Sequence, residues 1–276
     1  MMTIAECLRW AKALLPSDSA NLEAHLLLEQ VSGLERTTLF AWPERELASS
    51  VVQQYRALVD RRASGVPVAY LLGRREFYGL DLHVDQRVLI PRPETELLVD
   101  VALGLTLDAK AEVLDLGTGS GAIALALASQ RPQWSICAVD RSEDALDVAR
   151  ANQESLGIKN IDFYCSDWFA LLPQCQFDLI VSNPPYVEPE SAYLQQGDVR
   201  FEPINALVAP HDGFADLFAI IDQAPKYLKS GGTLWLEHGY QQAERLRQRF
   251  IDLGYQGAET HCDLQGLDRV TGAQWA

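Results

Sequence analysis

Metal-ligand spacing is missing from this chain. Its five cysteines, Cys7, Cys137, Cys165, Cys175 and Cys262, form no C-x-x-C pair, and its five histidines show no H-x-x-x-H or H-x-E spacing. Zinc sites are built from such clusters, so the cysteines read as small buried hydrophobes, and neither a metal nor a disulfide is expected. Unpaired thiols also suit a reducing compartment. Long apolar runs are missing as well: none approaches the roughly 20 residues that cross a bilayer. The opening MMTIAECLRWAKALL lacks a basic region followed by an apolar stretch and a small-residue cleavage site. These absences lead to the expectation of a cytoplasmic protein with no membrane partner. Positive charge is scarce where a nucleic acid would need it. The net charge is −15, with nine Lys+Arg against nine Asp+Glu in residues 1–76, so the whole excess falls on residues 77–276. That acidic portion repels a phosphate backbone, and no direct nucleic-acid substrate is expected.

What is present is an ordinary globular composition, 48% hydrophobic and 22% charged over 276 residues, enough for a large domain and a small one. Residues 1–75 read as a helical domain of four or five short helices. Leu26, Leu27, Leu28 and Val31 fall in one amphipathic window, and Val51, Val52, Tyr55, Leu58 and Val59 in another. Ser17, Asp18 and Ser19 can cap a helix from Ala20 to Val31, and Ser32-Gly33 can end it. Arg61, Arg62, Arg74 and Arg75 offer a basic edge, or simply a solvated face. Residues 76–94 change period: Leu80, Leu82 and Val84 alternate with Asp81, His83 and Asp85, which predicts a bridging β-hairpin over 77–90. The helix that follows is expected from about Thr95 to Leu105.

Residues 95–276 read as the catalytic domain, alternating strand and helix. Strand-like runs lie at Ala111–Leu116, Trp134–Asp140, Ile161–Cys165, Phe177–Ser182 and Thr233–His238. Helical stretches lie at Gly121–Gln130, Ser142–Leu156, Asp212–Leu228 and Gln241–Leu253. Repeated β-α-β units predict a doubly wound, mostly parallel α/β sheet, with ligands bound beyond the carboxyl ends of the strands.

The first of these strands ends in Asp115-Leu116-Gly117-Thr118-Gly119-Ser120-Gly121-Ala122. Glycines permit a tight strand-to-helix turn and let a ligand lie against bare backbone. About twenty residues on, Asp140 ends the next strand, placed to accept hydrogen bonds from ribose hydroxyls. Together these suggest a nucleoside site. The glycines alone do not separate a dinucleotide from S-adenosylmethionine, since Gly117, Gly119 and Ala122 also fit G-x-G-x-x-G/A. Asp167-Trp168 follows the third strand, where Trp168 can face an adenine edge with Asp167 near its amine, or act purely in packing.

After the fourth strand comes Asn183-Pro184-Pro185-Tyr186. Prolines after a strand commonly just end it. Beside a nucleoside site they do more: two prolines hold φ near −65° and carry no N–H, giving a rigid corner. The Asn183 side-chain oxygen and a backbone carbonyl can each accept one hydrogen of a planar NH2 group, and the Tyr186 ring supplies a flat face.

In this order GTGSG, AVD, SDW and NPPY resemble the class I S-adenosylmethionine-dependent methyltransferases. The blocks Gly65-Val66-Pro67, Tyr70-Leu71-Leu72-Gly73, Glu76-Phe77-Tyr78-Gly79, Leu89-Ile90-Pro91-Arg92-Pro93-Glu94-Thr95-Glu96 and Gly197-Asp198-Val199-Arg200-Phe201-Glu202-Pro203 resemble the bacterial release factor glutamine methyltransferases of the HemK or PrmC type. The likeness spans nearly the whole chain, with Ser120 where a threonine is often seen. It implies a seven-stranded Rossmann-like sheet and S-adenosyl-L-methionine as cofactor. It further implies peptide chain release factors as protein substrates, methylated on the side-chain amide nitrogen (N5) of the Gly-Gly-Gln glutamine. By the same likeness Gly117, Thr118, Gly119, Ser120, Gly121, Asp140, Trp168 and Asn183 contact the cofactor. Asn183, Pro184, Pro185 and Tyr186 hold the glutamine, residues 187–212 lie over the substrate pocket, and the N-terminal helices dock the release factor. A monomer is the expected state. A glutamine of another translation protein and an adenine-N6 amino group are the alternative substrates. A nicotinamide oxidoreductase would leave NPPY unexplained, and a silent binding module would leave the completeness of the pocket unexplained.

Overall fold

The computed structural model describes residues 2–172 and 175–276. Contacts divide the chain into two compact units. One holds the residues up to Arg74 together with Gln195–Phe201, and the other holds Arg75–Leu194 with Glu202–Ala276.

In the first unit a short pair, β1 (Met2–Thr3) and β2 (Glu46–Leu47), accompanies five helices: α1 (Ile4–Leu14), α2 (Ala20–Ser32), α3 (Arg36–Ala41), α4 (Ser49–Ala63) and α5 (Val68–Leu72). Thr3 and Glu6 close a reciprocal capping box at the start of α1. Gly33 at φ +64° ends α2, a conformation that only glycine adopts cheaply. The apolar stripe of α4 buries Val52, Tyr55 and Val59 against Leu27 and Leu28, and the Tyr55 hydroxyl donates to the Ala24 carbonyl at 2.9 Å. The expected basic edge is not what Arg62 forms. Its guanidinium is nearly buried and bridges Glu23 at 2.9 Å and Asp198 at 2.9 Å, because an arginine beneath the surface must find carboxylates. Arg200 belongs here too: a Cβ on Gly65, at φ +105°, would collide with its guanidinium.

The second unit takes in, from Arg75 on, the hairpin β3 (Arg74–Phe77) and β4 (Leu80–His83), turning through Tyr78 and Gly79, both at positive φ. Hairpin pairing stops at His83, short of the expected Ile90. The hairpin belongs to this unit's core, with Phe77 and Leu82 almost fully buried in it. Then follow α6 (Glu96–Gly104), β5 (Glu112–Leu116), α7 (Ala122–Gln130), β6 (Ser135–Asp140), α8 (Glu143–Leu156), β7 (Ile161–Cys165), β8 (Phe177–Ser182), α9 (Ala215–Gln223), β9 (Leu228–Glu237), α10 (Ala243–Asp252), β10 (Gln256–Cys262) and β11 (Asp268–Gln274). The helix expected to reach Leu228 stops at Gln223, since Pro225 forces a 3-10 turn over Ala224–Lys226.

Seven strands form one sheet in the order β10-β11-β9-β8-β5-β6-β7, with only β11 running against its neighbours. Both faces are apolar, as a covered sheet requires. Along β8, Leu179 and Val181 enter one cluster with α6 and α7, and Ile180 enters the other with α9 and α10. Between β5 and β8 the winding reverses, so their carboxyl ends open into a shared crevice.

Candidate active site

Two loops meet at that crevice. The first, Gly117–Gly121, leaves β5 with Gly117, Gly119 and Gly121 at φ +71°, +57° and +83°. The Gly117 and Thr118 N–H groups donate to the Val139 carbonyl at 2.8 and 2.9 Å, which bends the turn over the end of β6. Asp140 finishes the job: its Oδ2 accepts from the Gly119 N–H at 2.9 Å and its Oδ1 from the Ser142 N–H at 2.9 Å. The expected ribose acceptor is therefore also the clamp of the glycine turn, and its carboxylate has further lone pairs for a ligand. Burial pushes the Asp140 carboxyl above its usual range, against the pull of those two amides.

Thr118 and Ser120, expected to contact the cofactor, turn their side chains inward, and Gly121, expected there too, packs against the helices. Thr118 and Ser120 are buried, and the Thr118 hydroxyl donates inward to Asp115 at 2.6 Å. The Ser120 carbonyl accepts from Asn152, whose amide also pairs with the His83 backbone. Gly121 lies against Leu125 and Ala149. These three shape the turn, whereas Gly117, Gly119, Asp140, Asp167, Trp168 and Asn183 line the cleft above it. Trp168 holds a left-handed backbone, φ +49°, unusual for a bulky residue. Its ring lies so near Gly117 that a Cβ there would stand 3.3 Å away.

The second loop, Asn183–Tyr186, leaves β8, whose last residue Ser182 donates to the Leu116 carbonyl at 2.7 Å and ties the two strand ends together. Asn183 donates from Nδ2 to the Thr95 hydroxyl at 3.1 Å. The Tyr186 phenol donates to Glu237 Oε1 at 3.1 Å, and its carbonyl accepts from Gln242 at 3.3 Å. Burial beside Glu237 holds that phenol protonated, far above the usual tyrosine range. Glu237 itself is 1% exposed, and its carboxyl is raised by burial while the Thr95 and Tyr186 hydroxyls and Arg269 pull it down. Gly213, at φ +81°, lets the returning chain pass beneath Tyr186, whose carbonyl a Cβ would strike. Val187 and Val208 form a parallel bridge at the base of the 187–212 loop.

Pro184, Tyr186, Arg92, Glu94, Glu237 and Arg269 line a second cavity of about 790 Å³, and Asn183 lines both. Pro185 faces the cleft. The LIPRPETE and RFEP blocks are locked together by one carboxylate. The buried Glu202 side chain accepts from the Ile90 N–H at 3.0 Å and pairs closely with Arg92. Sequence reasoning left Thr95, Glu237 and Gln242 without a role. For Glu237 a signal existed, since it ends a strand on the ligand side of the sheet; Thr95 is marked only as part of the LIPRPETE block, and Gln242 carries none. Among the described residues no cluster of metal-binding side chains occurs.

Comparison with known proteins follows the same outline. A family model described as a methyltransferase domain matches residues 107–263, and one described as the PrmC N-terminal domain matches residues 6–73. The chain is 48% identical over 274 residues to the release factor glutamine methyltransferase of Shewanella oneidensis, covering 99% of this chain and 96% of that one. It is 51% identical over 255 residues to the protein of the same name from Escherichia coli, covering 92% of each. A solved methyltransferase from Pyrococcus furiosus shares the fold with a TM-score of 0.55 at 17% identity, over 79% of this chain and 96% of that one.

Proposed function

The chain belongs to the release factor glutamine methyltransferases, and from that premise we infer how its residues carry out the transfer. It is an S-adenosylmethionine-dependent enzyme that methylates the side-chain amide nitrogen of a release factor glutamine, the one in the Gly-Gly-Gln loop. The observation that carries this reading is the place of Asn183 at the junction of the glycine-turn cleft and the wider cavity.

The cleft suits the cofactor. Gly117 and Gly119 offer bare backbone, Asp140 offers free lone pairs to ribose hydroxyls, and Trp168 offers a ring face with Asp167 beside it. S-adenosylmethionine supplies an electrophilic methyl group carried on a sulfonium. Everything else falls to the protein. A carboxamide nitrogen is a poor nucleophile, since its lone pair is delocalised into the carbonyl. Asn183 Oδ1 and the Pro184 carbonyl accept its two N–H hydrogens, which raises electron density on nitrogen and directs the lone pair at the methyl. Pro184 and Pro185 carry no N–H that could compete for those acceptors. Val88, Leu89, Pro185 and Ala206 make the cleft wall weakly polar, which excludes water and favours a transfer that disperses positive charge. The methylated amide then returns one proton to solvent.

The same reading has a monomeric cytoplasmic enzyme acting on release factors as protein substrates, with the N-terminal helices contributing the docking surface. No helix among the described residues is long and apolar enough to cross a membrane. The test is incubation with labelled S-adenosylmethionine and a release factor, followed by peptide mass spectrometry. One added methyl on the Gly-Gly-Gln glutamine is the expected result. Label on adenine or on a different residue overturns the assignment.

A further inference from the structure

We propose that Thr95 and Glu237 are positioning residues that fix which end of the Asn183 carboxamide meets the substrate. The inference rests on Asn183 being the group that accepts the glutamine amide. An asparagine side chain has an acceptor end and a donor end of nearly the same shape. Only the acceptor end can receive a substrate N–H; turned over, the same side chain would present its own NH2 and repel the incoming amide.

What holds the productive orientation lies behind the loop. Nδ2 of Asn183 donates to Thr95 Oγ1, 88 residues away in sequence, and this leaves Oδ1 for the cavity. A hydroxyl has a single proton, so Thr95 can be an acceptor for Asn183 only while its own proton is drawn elsewhere. Glu237 is the group placed to draw it. Its buried carboxyl accepts from the Tyr186 phenol through Oε1, while Oε2 is buried with no hydrogen-bond partner, an acceptor left open to the Thr95 hydroxyl. In the proposed chain Asn183 donates to Thr95 and Thr95 in turn to the open Oε2 of Glu237, while Tyr186 donates to Oε1 of the same carboxyl. Two further observations give Thr95 this task rather than an ordinary one. It stands at the start of α6, where a threonine normally caps the helix, yet its side chain caps nothing. It is 4% exposed and lines neither cavity, so it acts through Asn183 and not on the substrate itself.

The experiment measures kcat and KM on an intact release factor, with S-adenosylmethionine affinity by calorimetry, for Thr95→Val, Thr95→Ser and Glu237→Gln. Valine keeps the volume and removes the hydroxyl; kcat should fall about tenfold or more, the scale of one buried hydrogen bond, while KM and cofactor affinity stay within about twofold. Serine should restore most of the rate. Glu237→Gln keeps the shape but brings an N–H donor toward Thr95, which reverses the chain, and kcat should fall comparably. Normal turnover by Thr95→Val, equal impairment of the valine and serine variants, or normal turnover by Glu237→Gln overturns the proposal. If the unmodified enzyme leaves the glutamine unmethylated, the functional reading falls. If it methylates while these variants behave as the unmodified enzyme does, only the positioning role falls.

Discussion

Acidification should destabilise this protein through one buried imidazole. His238, next to Glu237, is fully buried, with Nδ1 at 2.8 Å from the Gly239 carbonyl and Nε2 at 2.7 Å from the Thr271 hydroxyl. A carbonyl only accepts, so Nδ1 carries the proton and Nε2 accepts from Thr271, which is the neutral ring. Burial lowers its pKa from 6.5 to about 4, outweighing the Gly239 carbonyl and Asp268, which favour the charged form. As pH falls, the unfolded chain therefore takes up a proton that the folded chain refuses. The stabilisation is complete above pH 6.5 and drains away as pH drops toward 4. At 1.36 kcal/mol per pKa unit the full effect is about 3 kcal/mol, of which about 2 kcal/mol is gone by about pH 5. The perturbation is His238→Asn, which keeps an N–H for the Gly239 carbonyl and removes the titrating ring. Urea unfolding at about pH 7.5 and about pH 5 gives the loss of stability for each protein, and the unmodified enzyme should lose about 2 kcal/mol more than the variant. Equal losses would refute the reasoning.

Asn183→Ala should lower kcat more than about 100-fold, the effect of removing a positioned polar group, with cofactor affinity changed far less; single-turnover kinetics and calorimetry check both. Asp140→Ala orphans the Gly119 and Ser142 N–H groups and removes the carboxylate proposed to hold the ribose. Cofactor Kd should rise about 10- to 100-fold and Tm should fall, with Asp140→Asn intermediate because it keeps one acceptor; calorimetry showing unchanged affinity would remove this role. In the N-terminal unit Phe40 and Trp42 are exposed large apolar residues. Trp42→Ala should raise KM for an intact release factor about tenfold and leave KM for a short Gly-Gly-Gln peptide unchanged, as expected of an aromatic anchor in a docking surface.

Elements governed by neighbours in sequence are legible in the sequence alone. The five strands β5 to β9 and the helices α7 and α8 follow from apolar periodicity, α9 does so only in part, and the class I sheet is the one expected. Gly33 ends α2, and the glycines after β5 turn the chain, because a left-handed backbone is a local demand that only certain residues meet. The final hairpin was not assigned to residues. β10 has little buried apolar surface, and it is a strand only through its pairing with β11.

The sequence by itself determined which chemistry was possible, since GTGSG, Asp140 and NPPY are short motifs whose function lies in local backbone geometry. Tertiary structure decided how those motifs are held. Asp140 clamps the glycine turn across 21 residues, and Thr95 reaches Asn183 across 88. Glu202 locks a segment more than a hundred residues upstream, and Arg62 is consumed by Glu23 and Asp198. Each is a buried polar group whose partner lies far along the chain. Desolvation makes such a partner obligatory, but only the packed fold determines which residue supplies it.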